Sequence, residues 1–181
     1  MSPNLEKRWV IAERIPESID ARLAYFPPIM RQLLFNRGIT DPDSASWYVE
    51  GRDPGWDPFL LNGMDVAVDR LLWAVDRHEP IAVYGDFDVD GVTATALMVQ
   101  VLRAFGAEVR EYIPNRFDAG YGLNIEALST LAEAGTRVVL TVDCGIRSPR
   151  EAEFARHAGL DMIISDHHHP KDELPDACAV L

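Results

Sequence analysis

The stretch IAVYGDFDVDG, residues 81–91, places three aspartates directly after an apolar run of five residues. Such a run, with β-branched members, is typical of a buried strand. The polar segment Asp86-Phe-Asp88-Val-Asp90-Gly91 would then follow the carboxyl end of that strand. The same pattern of an apolar run bordered by acidic residues recurs in VVLTVDCG (138–145) and DMIISDHHH (161–169).

Segments with helical periodicity separate the predicted strands. They cover Val92–Phe105, Ile125–Ala134 and Pro149–His157, and each is followed closely by a glycine, a common C-terminal stop signal. The third helix also opens with Ser148-Pro-Arg-Glu151, the pattern of a capping box. A fourth strand is predicted over Val109–Ile113. Because strands and helices alternate, the sequence predicts an α/β fold, with a Rossmann-like and mostly parallel sheet flanked by helices on both faces.

The first part of the chain has a different pattern. Residues 1–78 contain short apolar stretches broken by Pro, Asp and Gly, and they predict a helical amino-terminal extension. Within it, Asp41-Pro42 signals a helix start, and the apolar spacing of residues 64–78 predicts an amphipathic helix. Residues 79–181 are predicted to form the α/β domain.

Composition limits the classes of protein to which this chain can belong. Of 181 residues, 48% are hydrophobic, and no apolar run approaches the ~18 residues that span a bilayer. With two cysteines and no targeting segment, we expect a cytoplasmic protein without membrane association. Cys144 follows an aspartate, which disfavours its thiolate, so we expect a small buried residue there. The net charge of −12 weighs against a phosphate-binding surface, although bound cations would neutralise part of it.

Parallel strands bring their carboxyl ends to one edge of a sheet, where open α/β sheets bind their ligands. The three polar segments are therefore expected to meet there, although they lie far apart in sequence. Five aspartates brought together would repel one another without a cation. Oxygen and imidazole ligands suit manganese, magnesium or zinc, and this mixture favours manganese. For any single aspartate a structural role is the simpler explanation, and Asp90 has the position of a helix cap.

Two other motifs share features with residues 86–91. An EF-hand calcium loop begins with the same aspartate spacing, but its twelfth position requires glutamate and here holds Leu97. A haloacid-dehalogenase-type phosphotransferase would use Asp88 as nucleophile, Asp90 as acid/base and a lysine, and only Lys171 lies downstream. Neither motif explains three consecutive histidines after a strand.

Three segments, YGDFDVDG (84–91), TVDCG (141–145) and SDHHHP (165–170), together resemble the first three motifs of the DHH phosphoesterase family. Within that family, IPNRFDAGYGLN (113–124) is similar to the RecJ-type exonucleases. The upstream stretch DPFLLNGMDVAVDRLLWAV (57–75) is also similar to them. The resemblance thus spans nearly the whole chain.

This resemblance implies that residues 79–181 are a DHH-type catalytic domain that is incomplete. The family has a fourth motif with a further metal-binding aspartate, followed by an accessory substrate-binding domain, and neither occurs before Leu181. We therefore expect the functional protein to be longer than this sequence. Many family members also have a histidine at the position of Tyr84.

The resemblance also implies roles for individual residues. Asp88, Asp90 and His167 match metal ligands, and Asp143 matches the carboxylate that bridges two metal ions. His168 matches the histidine that faces the scissile phosphate or a metal. Asp143, His167 and His168 are thus the expected catalytic group. Further expected metal ligands or orienting carboxylates are Asp86 and Asp166. Apart from the resemblance, the backbone N–H groups of the helix that opens near Gly91 are expected to contact a substrate phosphate, and the pair Asn115-Arg116 is a further expected phosphate contact.

The implied reaction is hydrolysis of a phosphodiester bond by water that two divalent metal ions activate, manganese first and magnesium second. RecJ-type proteins degrade single-stranded DNA from 5′ to 3′ in repair and recombination, so single-stranded DNA and DNA repair proteins are the expected partners. Two alternatives stay open. One is a DHH phosphodiesterase acting on short oligonucleotides, cyclic dinucleotides or another small phosphoester, and the other is a non-catalytic DHH scaffold.

Overall fold

The computed structural model describes residues 9–52, 55–114 and 122–181 of the chain. Two compact units are present, Met1–Trp56 and Asp57–Leu181. None of the described helices is long and apolar enough to cross a bilayer. The elements are, in chain order, α1 (Glu17–Arg22), α2 (Pro28–Phe35), α3 (Pro42–Glu50), a 3-10 turn (Pro58–Leu60), α4 (Met64–Arg77), β1 (Ile81–Gly85), α5 (Val89–Ala104), β2 (Val109–Tyr112), α6 (Ile125–Glu133), β3 (Val138–Val142), α7 (Pro149–His157), β4 (Asp161–Ser165) and β5 (Ala179–Val180).

The second unit is built on one sheet of five parallel strands in the order β2-β1-β3-β4-β5. This confirms the predicted α/β class and the four predicted strands. The edge strand β5 was not predicted, because two residues are too few to leave a periodic signal in the sequence.

Helices cover both faces of the sheet, as predicted. Successive side chains of a strand point to opposite faces, so each strand contributes to two cores. On one face Tyr84 packs in a core with Leu128 of α6. On the other face Val83 packs with Ala74 of α4 and Val99 of α5. Full burial of a side chain such as Val83 contributes about 1.5–3 kcal/mol, so this double covering fixes the strands in register.

Helix α5 begins at Val89, three residues before its predicted start. The side chain of Asp88 accepts a hydrogen bond of 3.0 Å from the backbone N–H of Gly91 and is the N-cap. Asp90, whose position had indicated a cap, lies instead in the first turn, where a negative charge favours the helix dipole. The cap is therefore Asp88 and not Asp90.

Helix α7 has its predicted bounds but lacks the predicted capping box. The side chain of Ser148 makes no cap hydrogen bond, and its backbone ψ of 56° departs from the usual cap conformation. Pro149 at the first helical position, whose fixed φ suits a helix start, remains as the local start signal.

Helix α4 belongs to the compact unit of the sheet, although it was predicted to lie in the amino-terminal extension. Its buried residues Ala67 and Ala74 pack in one core with Ile81 and Ala179. The boundary between the two compact units thus lies between residues 56 and 57. The boundary between an amino-terminal extension and a catalytic domain at residues 78 and 79 stays a prediction.

The first unit has a small core of its own. Helix α3 begins at the predicted signal, with the carboxylate of Asp41 accepting a hydrogen bond of 2.9 Å from the N–H of Ser44. The fully or largely buried residues of this unit are Leu23, Phe26, Leu34 and Ala45.

Candidate metal centre

The carboxyl ends of β1, β3 and β4 lie side by side. Gly85 pairs with Val142, and Val142 pairs with Ser165, so the three strands end at the same level. In each strand the next residue is an aspartate: Asp86, Asp143 and Asp166. The parallel register therefore brings the three polar segments to one edge of the sheet, as predicted.

At this edge Asp143, His167 and His168 present ligand atoms that all lie within 4.8 Å of one another. Nε2 of His167 is 3.0 Å from Oδ1 of Asp143, and Nδ1 of His168 is 4.0 Å from the same oxygen. Across residues 9–52, 55–114 and 122–181, this is the group of His, Cys, Asp or Glu side chains with the spacing of a metal site. One carboxylate and two imidazoles suit a divalent transition metal.

Asp143 is the most constrained member of the group. Its backbone has a positive φ of 63°, and its N–H donates to the carbonyl of Ser165 at 2.9 Å. Left-handed backbone is uncommon outside glycine, although aspartate and asparagine tolerate it better than most residues. Its conformation aims a carboxylate into the site, and strain of this kind is found mainly at functional positions.

The carboxylate of Asp143 is buried, and its nearest potential donor is Nε2 of His167, 3.0 Å from Oδ1, which forms an ion pair only if that imidazole is protonated. Neither oxygen accepts a well-aligned hydrogen bond from the described part of the chain. Burial raises the pKa of this carboxyl, and the negative charges of Asp88 and Asp90 add to that rise, against the influence of His167 and His168. A buried carboxylate with unfilled acceptor positions has the chemistry that a divalent cation satisfies. The residues present therefore fit a metal ion.

Asp166 holds His168 in place. Its Oδ1 lies 2.7 Å from Nδ1 of His168 and accepts the backbone N–H of the same residue at 3.1 Å. The hydrogen bond to Asp166 raises the pKa of His168. This carboxylate–histidine pair fixes the orientation of the imidazole, as carboxylates behind metal-binding histidines do.

Asp166 also joins two loops. Its other oxygen, Oδ2, accepts the N–H of Ile146 at 3.0 Å, which ties the loop after β3 to the loop after β4. Burial by itself would raise the pKa of Asp166, but the N–H donors of Ile146 and His168 outweigh it and the pKa is lowered. Both oxygens are thus occupied by protein donors. Of the two roles suggested by the sequence, metal ligand and orienting carboxylate, this arrangement favours the second.

Asp86 is fully buried at the start of the loop after β1. Neither of its oxygens accepts a hydrogen bond from the described residues. The neighbouring Gly91 is required sterically, because a Cβ at that position would collide with the backbone of Asp86. The N–H of Gly91, which was expected to contact a substrate phosphate, donates to Asp88 in this structure.

The exposed aspartates Asp88 and Asp90 lie close enough to Asp143 for their charges to raise its pKa. Asp88 uses one oxygen to cap α5, and Asp90 lines the cleft beside Asp143. The structure thus brings the expected ligands of the first motif to the same edge as Asp143.

Tyr84 occupies the position at which many family members have histidine, and it points into the core. Its hydroxyl donates to the carbonyl of Gly122 at 3.1 Å and accepts from the side chain of Asn124 at 3.2 Å. Its ring packs on Tyr112, with 5.0 Å between the ring centroids. Burial raises the pKa of the Tyr84 hydroxyl. This residue is therefore a packing and hydrogen-bonding element, and not a metal ligand.

Cys144 is a small buried residue, as predicted. Its side chain contacts the carbonyl of Tyr84 at 3.8 Å, and burial raises the pKa of its thiol. The carbonyl of Cys144 accepts the hydroxyl of Thr141 at 2.7 Å, which supports the turn that carries Asp143.

An open cleft of about 540 Å³ lies at this edge of the sheet. Sequence reasoning identified its polar wall and missed its apolar wall, because the apolar spacing of α4 was interpreted only as a core face. The polar residues are Asp90, Asp143, Ser165, Asp166 and His167, and the apolar residues are Leu61, Met64, Ala94 and Leu181. The expected substrate contacts Asn115 and Arg116 lie outside the described residues.

A parallel α/β sheet with a cleft of carboxylates and imidazoles at its carboxyl edge defines a metal-binding α/β domain. Residues 80–181 match the model of the DHH family, N-terminal domain. The chain belongs to the DHH family.

Relatives and solved structures agree with this assignment. The chain is 42% identical over 177 residues to the single-stranded-DNA-specific exonuclease RecJ of Bacillus subtilis strain 168. The aligned region covers 96% of this chain and 22% of that protein. The single-stranded-DNA-specific exonuclease RecJ of Escherichia coli strain K12 is 40% identical over 159 residues, 87% of this chain and 27% of the relative. The chain therefore spans about a quarter of the length of these relatives.

A crystal structure of RecJ in complex with Mn2+ from Thermus thermophilus superposes with a TM-score of 0.65 and 30% identity over 88% of this chain and 22% of that chain. A second, of exonuclease RecJ bound to manganese, gives a TM-score of 0.63 at 38% identity over 66% of this chain and 31% of that one. Manganese is thus bound by proteins that share this fold at substantial identity.

Proposed function

We propose that this chain is the metal-holding part of an exonuclease that hydrolyses single-stranded DNA from 5′ to 3′. The identity to single-stranded-DNA-specific exonucleases over nearly the whole chain supports this substrate. The manganese-bound structures of similar proteins support manganese as the preferred ion, and magnesium stays the second choice predicted from the sequence. Partners in DNA repair and a cytoplasmic location stay predictions that follow from this activity.

The buried carboxylate of Asp143 is the observation that carries the proposal. Its Oδ1 lies 3.0 Å from Nε2 of His167, which forms an ion pair only if the imidazole is protonated, and neither oxygen accepts a well-aligned hydrogen bond from the described residues. A buried carboxylate whose nearest positive partner is a largely exposed imidazole costs stability, and a bound cation would compensate that cost. Burial, Asp88 and Asp90 raise the pKa of Asp143, and a cation bound there would lower it.

Two divalent ions would be held by the side chains of the first three motifs. Asp143 would contact both, with His167, Asp88 and Asp90 as further ligands and the buried Asp86 supporting the first motif. When bound, such ions lower the pKa of a coordinated water and screen the charge of the phosphate.

The protein's own residues then orient the substrate. Asp166 holds His168 through Nδ1 at 2.7 Å, so a contact with the scissile phosphate would be made by Nε2 of that ring. The apolar wall that includes Leu61 and Met64 offers a surface for the sugar or base next to that phosphate.

The first test is the substitution Asp143→Asn in the gene product that contains residues 1–181. Asparagine keeps the shape and tolerates the positive φ of this position. We expect manganese-dependent cleavage of single-stranded DNA to fall by roughly a thousandfold or more, because the substitution removes the central ligand charge. The matched control is Asp76→Asn on the exposed side of α4, which should keep wild-type activity. Full activity in the Asp143 variant would refute the role given to this residue.

The second test separates a nuclease from a phosphodiesterase of small substrates. Rates on a long single strand are compared with rates on a dinucleotide and a cyclic dinucleotide under the same manganese concentration. The proposal predicts a higher kcat/KM for the long strand. A preference for either dinucleotide would replace it with the small-phosphoester function, and no manganese-dependent turnover of any substrate would indicate a scaffold.

A further inference from the structure

Arg147 lies beside the candidate metal centre and was not singled out from the sequence. It follows Ile146 in the loop after β3, the same loop that carries Asp143. Its Nε donates a hydrogen bond of 2.7 Å to the carbonyl of His169, in the loop that carries the other two members of the metal group. The charge of Arg147 also acts on His168, where it opposes protonation of the imidazole.

Two consecutive residues thus bridge the same pair of loops. The N–H of Ile146 donates to Oδ2 of Asp166 at 3.0 Å, and the side chain of Arg147 donates to the carbonyl of His169. The first bond fixes the backbone before Arg147, and the second fixes its guanidinium. A side chain that is already ordered loses less conformational entropy when it binds a ligand.

The guanidinium keeps donors for a ligand. A guanidinium has five N–H donors, and the bond to His169 uses the one on Nε. Within the described part of the chain no carboxylate forms an ion pair with Arg147, whereas Arg70, Arg103 and Arg156 each have an acidic partner. Arg147 is also exposed to solvent. An exposed, anchored and unneutralised guanidinium suits a phosphate group, which it can contact with two parallel hydrogen bonds.

We propose that Arg147 binds a phosphate of the nucleic-acid strand next to the scissile phosphodiester. The inference rests on the proposed function and deepens it, because it identifies a positive contact at the edge of a chain with net charge −12. Bound metal ions would neutralise the centre of the site, and Arg147 would supply charge for a neighbouring phosphate. It is a substrate-binding residue and takes no part in bond cleavage.

The test compares Arg147→Ala, Arg147→Lys and the control Arg150→Ala, an exposed arginine three residues away. In manganese-dependent cleavage of oligothymidine, Arg147→Ala should raise KM about tenfold, as expected for one lost charge-assisted phosphate contact, and leave kcat within about twofold. In Arg147→Ala the slope of log KM against log salt concentration should be smaller than in the wild type by about 0.7, the value for one phosphate contact on a single strand. Arg147→Lys should recover part of the KM, since it keeps the charge without the planar fork. Arg150→Ala should behave as wild type.

Manganese titration and strand binding distinguish this proposal from its alternatives. The manganese affinity of Arg147→Ala should equal that of the wild type, and a lowered affinity would overturn the proposal in favour of a loop-bracing role. An unchanged KM and salt slope in Arg147→Ala would also overturn it. If the wild type binds a phosphorothioate-linked strand but cleaves no phosphodiester, the proposed function fails. Arg147 is then judged by the strand's dissociation constant alone, which Arg147→Ala should raise about tenfold.

Discussion

The acidic residues at the two edges of the sheet differ in their bonding partners. At the amino edge, Arg70 of α4 donates from Nη2 to Glu79 and from Nε to Asp161, each at 2.7 Å. At the carboxyl edge, the buried carboxylates of Asp86 and Asp143 accept no hydrogen bond from the described residues. The same small domain therefore neutralises its acids with an arginine at one edge, and at the other edge it offers Asp143 only imidazoles, which are charged only when protonated.

This difference indicates what each edge is for. A partly buried arginine between two carboxylates is a way to attach a helix to a sheet, since it satisfies charges that would otherwise be costly. Carboxylates without donors destabilise the metal-free fold, and they persist where a ligand compensates them. The amino edge is thus a structural contact, and the carboxyl edge is a binding site.

Breaking the amino edge should have the largest effect on stability. Arg70→Leu keeps the packing of α4 but leaves the partly buried Glu79 and the more exposed Asp161 without their partner, so the free energy of unfolding should fall by about 1–2 kcal/mol in urea denaturation. The control is Arg103→Leu, whose partner Glu111 is largely exposed, and a loss below about 0.5 kcal/mol is expected there. Equal losses in the two variants would show that the ion pairs of Arg70 stabilise the fold no more than an exposed pair does.

Neutralising the carboxyl edge should have the opposite sign. In metal-free protein, Asp143→Asn removes a buried charge that Asp88 and Asp90 repel, and it should raise the free energy of unfolding by about 1 kcal/mol. The pKa of Asp143 is raised, so its ionised form opposes folding at neutral pH. A stability loss in metal-free Asp143→Asn would mean that the ion pair with His167 outweighs burial and the repulsion by Asp88 and Asp90.

The smallest expected effect is on pH dependence, and it concerns the Asp166–His168 pair. The pKa of His168 is raised from its ordinary 6.5, so its stabilisation is present below that pH and is lost as pH rises through the raised value. The pKa of Asp166 is lowered from 3.8, so its stabilisation is present above 3.8 and is lost as pH falls through the lowered value. The stability difference between metal-free wild type and His168→Gln should therefore be largest between these limits. A difference that grows above neutral pH would contradict the pairing.

Most of the fold could be predicted from the sequence because its signals are local. The apolar runs that became β1, β3 and β4 are buried almost throughout and have the predicted bounds. The choice between Asp88 and Asp90 as helix cap could not be predicted, since both are good caps and the turn after β1 decides which one faces the N–H of Gly91. Strand β5 exists only through its pairing with β4, which is a tertiary contact.

The candidate site could be predicted as a convergence but not as a geometry. Parallel strands carry residues 86, 143 and 166 to one edge, and that much follows from alternating helices and strands. The sequence could not decide that Asp166 would use both oxygens on N–H donors of Ile146 and His168 while neither oxygen of Asp143 would accept a well-aligned hydrogen bond from the described residues. It also gave no signal for Arg147, because an arginine in a loop is usually solvated and its anchor is a backbone carbonyl.

Calorimetric titration of manganese into the metal-free chain, residues 1–181, tests most directly whether the carboxyl edge holds cations. Saturable binding to the wild type is expected, with little or none to Asp143→Asn. Arg70→Leu should bind manganese with wild-type affinity under conditions in which that variant is folded. If the wild type bound no manganese, or if Asp143→Asn bound it as tightly as the wild type, the assignment of this edge as a metal centre would be contradicted.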